Sequence, residues 1–273
     1  MEHKPINDNF WSRTLTLWAL KILDLKYMSP FRKYAGGVLL VSKFGIKTKP
    51  FTSLAEAHTM QFIAQHTSIP VPKVFCAFVH KGRSYIVMER VAGEMVGYGW
   101  VGRAEESKRK ILTQLKSLIQ QLRDVRPPQG VGVENVVGGP IYDGRLPKTP
   151  FWGPFNTQED FHKELRNGVD LDADLSAVPD LIELFAFHKQ QFPPPVLTHG
   201  DLSSLNIMVR GDNIVSIIDW ETAGWLPFYW EYVCAWNVNP QNQFWQCEVD
   251  KFMEPMSHEL RMDNLRRQYF GDI

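Results

Sequence analysis

The sequence predicts an α+β fold in two lobes, a small antiparallel sheet with one helix over residues 1–92 and a mainly helical lobe over 93–273. Three observations predict it. Strand-like runs at 38–44, 73–79 and 84–88, bounded by Gly or Pro, enclose a helical stretch that begins near Ser53. A long helix then opens the second half, because Ile111, Leu112, Leu115, Leu118, Ile119 and Leu122 recur at helical spacing behind the charged start Glu105 to Lys110. Near the far end a single hairpin interrupts the helical pattern. Asn206-Ile207-Met208-Val209 forms its first strand, Arg210-Gly211-Asp212-Asn213 its turn, and Ile214 to Ile218 its return.

Each remaining element follows in order. The run from Trp11 to Tyr27 is apolar only in part, interrupted by Arg13, Lys21, Asp24 and Lys26, and reads as an amphipathic helix packed on the small lobe. Its charges and length exclude a membrane span. Gly36-Gly37 suits a hairpin turn, or a close backbone approach to a phosphate. Val38 to Phe44 reads as one strand with Lys43 set into it, and a lysine inside a strand is costly unless its charge is used. Ser68-Ile69-Pro70-Val71-Pro72 ends the helix after Ser53, Gly82 turns the next hairpin, and Pro127-Pro128 stops the long helix. The Gly- and Pro-rich stretch 130–154 reads as a long loop.

The hairpin also carries the chemistry. His199, Asp201, Asn206 and Asp219 occur in order, with four residues between Asp201 and Asn206 and the β-branched return strand delivering Asp219. This is the D-x-x-x-x-N spacing of protein kinases. Phosphoryl transfer needs a carboxylate to hold and deprotonate an attacking hydroxyl, and oxygen ligands to fix Mg²⁺ on the phosphates. Asn206 opens one strand and Asp219 closes its antiparallel partner, so both side chains can meet at one end of the hairpin. A turn followed by an ordinary strand cap would explain any one of these residues, but not four in register.

His199-Gly200-Asp201-Leu202-Ser203-Ser204-Leu205-Asn206, followed by Ile217-Ile218-Asp219-Trp220-Glu221-Thr222-Ala223-Gly224-Trp225, resembles the aminoglycoside phosphotransferase and choline kinase family, especially its fungal members. The resemblance implies a protein-kinase-like fold and transfer of the ATP γ-phosphate to a hydroxyl of a small molecule. It makes Asp201 the catalytic base, with His199 buttressing the loop. Asn206 and Asp219 become Mg²⁺ ligands, and Glu221 a further metal-shell or loop-orienting carboxylate. Lys43 is matched to the strand lysine that grips ATP phosphates, with Glu56 as its helix partner. Glu89 to Gly93, with Glu89 and Val91 as cofactor-binding residues, resembles the hinge that meets adenine. Two departures stand out. Ser203-Ser204-Leu205 replaces the basic residue or proline common between the Asp and the Asn, and no G-x-G-x-x-G loop precedes Lys43.

Several alternatives remain open at this level. Ser53-x-x-Glu56 is also a capping box, in which Glu56 needs no lysine. Asp170-x-Asp172-x-Asp174 invites a calcium loop, but Leu175 and Leu181 stand where glycine and a bidentate glutamate are required. Carboxylates of 159–183 fit a solvated loop, or an acceptor site for the amino-bearing molecules that several family members phosphorylate. A catalytically degenerate, nucleotide-binding or scaffolding relative is a second class. A protein kinase is a weaker third, since no peptide platform or A-P-E element follows Asp219.

Composition agrees with a single enzyme. The 273 residues, 44% hydrophobic, can bury a sizeable core. Thirty basic and thirty acidic residues cancel, which removes the electrostatic case for nucleic acid. Cys76, Cys234 and Cys247 lack metal-ligand spacing, and Met1 to Pro5 lacks a signal-peptide pattern. The expectation is a cytoplasmic protein with no membrane association.

Overall fold

Gly36 and Gly37 take φ of +53° and +75°, the backbone of a tight hairpin that pairs Ala35 with Val38. They join the first two strands of a five-stranded antiparallel sheet in a computed structural model that describes residues 4–25, 27–28, 33–146, 149–237 and 243–271. The strands are β1 (Lys33–Ala35), β2 (Val38–Val41), β3 (Phe44–Lys49), β4 (Val74–His80) and β5 (Arg83–Glu89), in the order β1-β2-β3-β5-β4. The run 38–44 is therefore not one strand. Ser42 and Lys43 form a two-residue turn, with Val41 opposite Phe44 and Ser42 at φ +52°.

Two helices cover the sheet. Helix α1 (Phe10–Leu23) starts at Asn9, whose side chain accepts from the Ser12 amide while Ser12 Oγ accepts from the Asn9 amide. Its Leu17, Leu20 and Leu23 pack with Leu39, Ile46, Cys76, Phe78 and Val87 in a core of their own. The opposite face of α1 leaves Trp11, Leu15, Trp18 and Ile22 exposed. Helix α2 (Ala55–His66) packs on the other side through Ala57, Met60 and Ile63, against Ala77, Ile86 and Met88.

That second core runs without a break into the rest of the chain. Helix α3 (Glu105–Asp124) buries Ile111, Leu112, Leu115, Ile119 and Leu122, the stripe its periodicity predicts. Strand β6 (Glu94–Met95) adds to a three-stranded sheet with β10 (Ile207–Arg210) and β11 (Asn213–Ile217). The stretch 130–154 is more ordered than its composition suggests, since β7 (Ile141–Tyr142) and β8 (Phe151–Trp152) pair antiparallel. Phe51 packs on Tyr142 and Phe151 with ring centroids 4.9 Å away in each case, anchoring this hairpin beside the end of β3.

Helices α4 (Gln158–Leu165) and α5 (Leu181–His188) flank the acidic stretch. Strand β9 (Val196–Thr198) pairs with β12 (Gly224–Leu226), and α6 (Trp230–Asn237), α7 (Gln243–Phe252) and α8 (Ser257–Phe270) close the chain. Among the described residues no helix is long and apolar enough to cross a membrane.

Candidate active site

The hairpin brings its two ends together as its register requires. Ile207 faces Ile217, and the Ile218 amide donates to the Asn206 carbonyl at 2.9 Å. Asn206 and Asp219 thus leave the same end of the hairpin. Asp219 adopts φ +64°, ψ +58°, a left-handed conformation that a non-glycine residue holds only where its surroundings enforce it. A single 3₁₀ turn, Trp220–Thr222, follows immediately.

The segment 199–206 is held from several sides. His199 is fully buried, and burial lowers its pKa to about 4, so the ring is neutral at pH 7. Its Nδ1 accepts from the Asp201 amide at 3.1 Å, which leaves Nε2 to donate to the Ile218 carbonyl at 3.0 Å. His199 therefore ties the loop to the strand that delivers Asp219. Glu231, in the first turn of α6, accepts from the His199 amide at 2.6 Å and the Gly200 amide at 3.1 Å. Thr222 Oγ1 donates to the His199 carbonyl at 2.7 Å, and Trp245 Nε1 donates to the Leu202 carbonyl at 3.0 Å. Gly200 sits at φ +80°, and a Cβ there would meet the Thr222 carbonyl at 3.1 Å, so only glycine suits this turn.

Asp201 is oriented within that loop. Asn206 Nδ2 donates to both the Asp201 carbonyl and its Oδ2, each at 2.9 Å. Oδ1 is buried without a hydrogen-bond partner, so Asn206 holds one oxygen and the other is unpaired. Burial raises the Asp201 pKa to about 7, the nearby Asp219 adds to the rise, and Arg145 opposes it.

The geometry corrects the pairing of Lys43 with Glu56 and the place of Lys43 within a strand. Lys43 lies exposed in the β2–β3 turn, with its ammonium 5.6 Å from the Phe44 ring centre. Lys47, four residues on in β3, points inward and is buried. Its Nζ lies 2.7 Å from Glu56 Oε1, 2.6 Å from Asp219 Oδ1 and 2.9 Å from Glu221 Oε2. Burial works against the Lys47 ammonium, but the three carboxylates outweigh it and its pKa is raised. Glu56 thus faces a lysine and not its own helix start. Ser53 Oγ accepts from the Ala55 amide, and α2 begins without the side-chain capping bond that a capping box needs.

Glu221 Oε2 is shared with Lys49 at 2.6 Å, so this carboxylate spans two lysines. Lys47, Glu56, Asp201, Asn206 and Asp219 line one cleft of about 720 Å³ with Gly36, Val38, Met60, Met88 and Met208. Glu89 and Val91 line it from the end of β5. The Glu89 amide donates to Lys73 and the Arg90 amide to the Lys43 carbonyl, which fixes this edge. None of the lining residues comes from 159–183. Asp170 instead pairs with Lys163, Asp174 caps Ser176, and Asp180 accepts from Tyr269.

A profile of the phosphotransferase enzyme family matches residues 34–251, which takes in β2 through most of α7. The chain belongs to that family. The fold agrees with solved phosphotransferase structures at low identity. The structure of aminoglycoside phosphotransferase APH(4)-Ia superposes with a TM-score of 0.63 at 15% identity, covering 93% of this chain and 88% of that one. A streptomycin–ATP ternary complex of APH(2″)-IIa gives 0.57 at 14% identity, over 97% and 88%. APH(3″)-Id from Streptomyces rimosus, solved with ADP and streptomycin, gives 0.54 at 15% identity, over 93% and 98%. Among curated proteins, a subtelomeric hrmA-associated cluster protein of Aspergillus fumigatus is 30% identical over 82 residues, which is 29% of this chain and 16% of that protein. The same match recurs in a second strain. The chain thus aligns with only a small part of the length of those curated relatives.

The donors at this end of the hairpin suit a hard cation. Asn206 spends its amide nitrogen on Asp201, which leaves its oxygen for a ligand, and Asp219 presents a partly exposed carboxylate beside it. Three supports were not singled out from the sequence. Lys47 was hidden among Lys43, Lys47 and Lys49, although its place nine residues before Glu56 in an alternating strand is a usable signal. Glu231 sits within an aromatic run, and Arg145 in a loop without periodicity.

Proposed function

We infer that the protein transfers the γ-phosphate of ATP to a hydroxyl of a small molecule, with Mg²⁺. The arrangement of Lys47, Asp201, Asn206 and Asp219 around one cleft carries this reading. Lys47 would hold the nucleotide phosphates, kept in place by Glu56. Glu89 and Val91 would meet the adenine along their backbone. Asn206 and Asp219 would hold Mg²⁺, which supplies charge neutralisation on the phosphates. Glu221, bound to two lysines, fits the loop-orienting role better than that of a metal ligand.

Asp201 is the base in this reading. The acceptor hydroxyl donates to the Asp201 carboxylate, which Asn206 orients through Oδ2, and passes its proton there as its oxygen bonds to the γ-phosphorus and the bond to the departing ADP breaks. His199 acts only through the loop it braces. The solved neighbours with streptomycin support a small hydroxylated acceptor, and an amino-bearing one is the first class to examine. A peptide acceptor is disfavoured, because the 3₁₀ turn, β12 and α6 follow Asp219 with no room for a platform.

The test is Mg²⁺-dependent ATP consumption by the purified protein across amino sugars, choline-like amines and hydroxylated metabolites, with Asp201→Asn as control. Acceptor-stimulated turnover that the substitution lowers by about 10²–10⁴-fold is expected. Tight nucleotide binding with no turnover on any acceptor would favour a degenerate nucleotide-binding protein.

A further inference from the structure

The four residues between Asp201 and Asn206 are Leu202-Ser203-Ser204-Leu205, so the loop that carries the base carries no cation of its own. A cation nevertheless stands beside that base, delivered by another part of the chain. We propose that Arg145, in the connection between β7 and β8, is a positioning residue that holds the Asp201 carboxylate in place for proton abstraction. It does so from outside the loop, in the place of a basic residue within it. This role rests on Asp201 being the base.

The guanidinium is fixed before it reaches the site. Its Nε and Nη2 donate to the two oxygens of Asp143, each at 2.8 Å, and the Arg145 amide donates to Asp143 Oδ1 at 2.9 Å. Asp143 is itself buried, and its amide is held by the Pro150 carbonyl at 2.8 Å. Such a two-pronged carboxylate contact sets the plane of the guanidinium, which an ammonium could not copy. Nη2 also donates to the Gly200 carbonyl at 2.5 Å, the peptide group that leads into Asp201.

The remaining nitrogen, Nη1, lies 3.7 Å from Asp201 Oδ1. That is too far for a hydrogen bond, so the guanidinium lies beside Oδ1 without occupying it. Three contacts thus divide the work at the base. Asn206 fixes Oδ2, Arg145 fixes the preceding carbonyl, and the free end of its fork faces Oδ1.

The experiment compares Arg145→Met, Arg145→Lys, Asp201→Asn and Asp201→Asn/Arg145→Met in Mg²⁺-dependent ATP turnover, with AMP-PNP binding by calorimetry. Arg145→Met is expected to lower kcat about 10- to 100-fold, the scale set by misplacing a reacting group, with KM for ATP and AMP-PNP affinity nearly unchanged. Arg145→Lys recovers part of the loss. In the Asp201→Asn background Arg145→Met has no further effect, because both act through one carboxylate. An equal extra loss in that background, or a fall in AMP-PNP affinity as large as that in kcat, overturns the proposal.

Should Arg145→Met fail to fold because Asp143 is left buried and unpaired, Asp143→Asn/Arg145→Gln carries the same comparison. Hydrogen exchange gives a readout without an acceptor. Amides of 199–206 should exchange faster in the Arg145 variants while those of 207–217 do not, and unchanged exchange in 199–206 counts against the proposal. Wild-type turnover in Asp201→Asn would sink the base assignment itself. Loss in Asp201→Asn with wild-type turnover in Arg145→Met would sink only the role of Arg145.

Discussion

Burial lifts the Asp201 carboxyl to about 7, where a proton acceptor can work near neutral pH, and the same shift works against the fold. An unfolded aspartate ionises near its ordinary value of 3.8. Between that value and about 7 the unfolded chain has given up a proton that the folded chain still holds, so this group's contribution to stability falls as pH rises through the window. Asp201→Asn removes the ionisation. It should therefore lower transfer by about 10²–10⁴-fold yet raise the Tm at pH 8, by about 2–4 °C if about 1 kcal/mol is recovered. The gain should shrink towards pH 4. Thermal melts at the two pH values check this, and a lower Tm at pH 8 would show that the carboxylate stabilises the fold. The lysines give a second prediction at this scale. Lys47→Met should remove most nucleotide binding and leave Glu56 buried without its cation, whereas Lys43→Met should be almost silent, since Lys43 is exposed in a turn. Calorimetry on the pair distinguishes them.

Helix α6 acts on the site through one side chain, Glu231, whose carboxylate accepts from two successive amides of the 199–206 loop. Glu231→Ala would leave both amides without that acceptor in a buried setting. Unfolding in urea should show a loss of about 2–6 kcal/mol, at roughly 1–3 kcal/mol for each unsatisfied group. Turnover should fall further than the lost stability accounts for, and an unchanged kcat would show that α6 does not hold the loop. How legible each element was in the sequence follows from where its signal lies. The hairpin 206–218 could be read because turn residues, β-branched strands and the spacing of Asp201, Asn206 and Asp219 all fall within one short stretch. The β2–β3 turn could not, because Ser42-Lys43 contains no Gly, Pro or Asn and joins two apolar strands into an apparent single one. That merger drew attention to Lys43 in place of Lys47, the lysine that pairs with Glu56. Glu231 and Arg145 act on Gly200 across 31 and 55 residues of sequence, and contacts of that range leave no local pattern.

The ion cluster at Lys47 joins the halves of the molecule, since Lys47 comes from β3, Glu56 from α2, and Asp219 and Glu221 from the segment after β11. A nucleotide in the adjoining cleft would touch the sheet, the β5 edge and the catalytic hairpin together. Binding to the folded chain alone stabilises it by mass action, about 2.7 kcal/mol at a hundredfold excess over Kd. Saturating AMP-PNP with Mg²⁺ should accordingly raise the Tm by about 5 °C or more, and differential scanning fluorimetry would detect it. The phosphotransferase family match over 34–251 leaves the whole of α1 outside it and takes in every residue that lines the cleft. The most direct measurement is calorimetric titration of AMP-PNP into wild type, Lys47→Met and Asp219→Ala, in Mg²⁺ and again in EDTA. The geometry predicts that Lys47→Met weakens binding in both conditions, while Asp219→Ala weakens it mainly in Mg²⁺. Wild-type affinity in Lys47→Met, or the same loss for Asp219→Ala with and without Mg²⁺, would contradict the placement of phosphates and metal at this cluster.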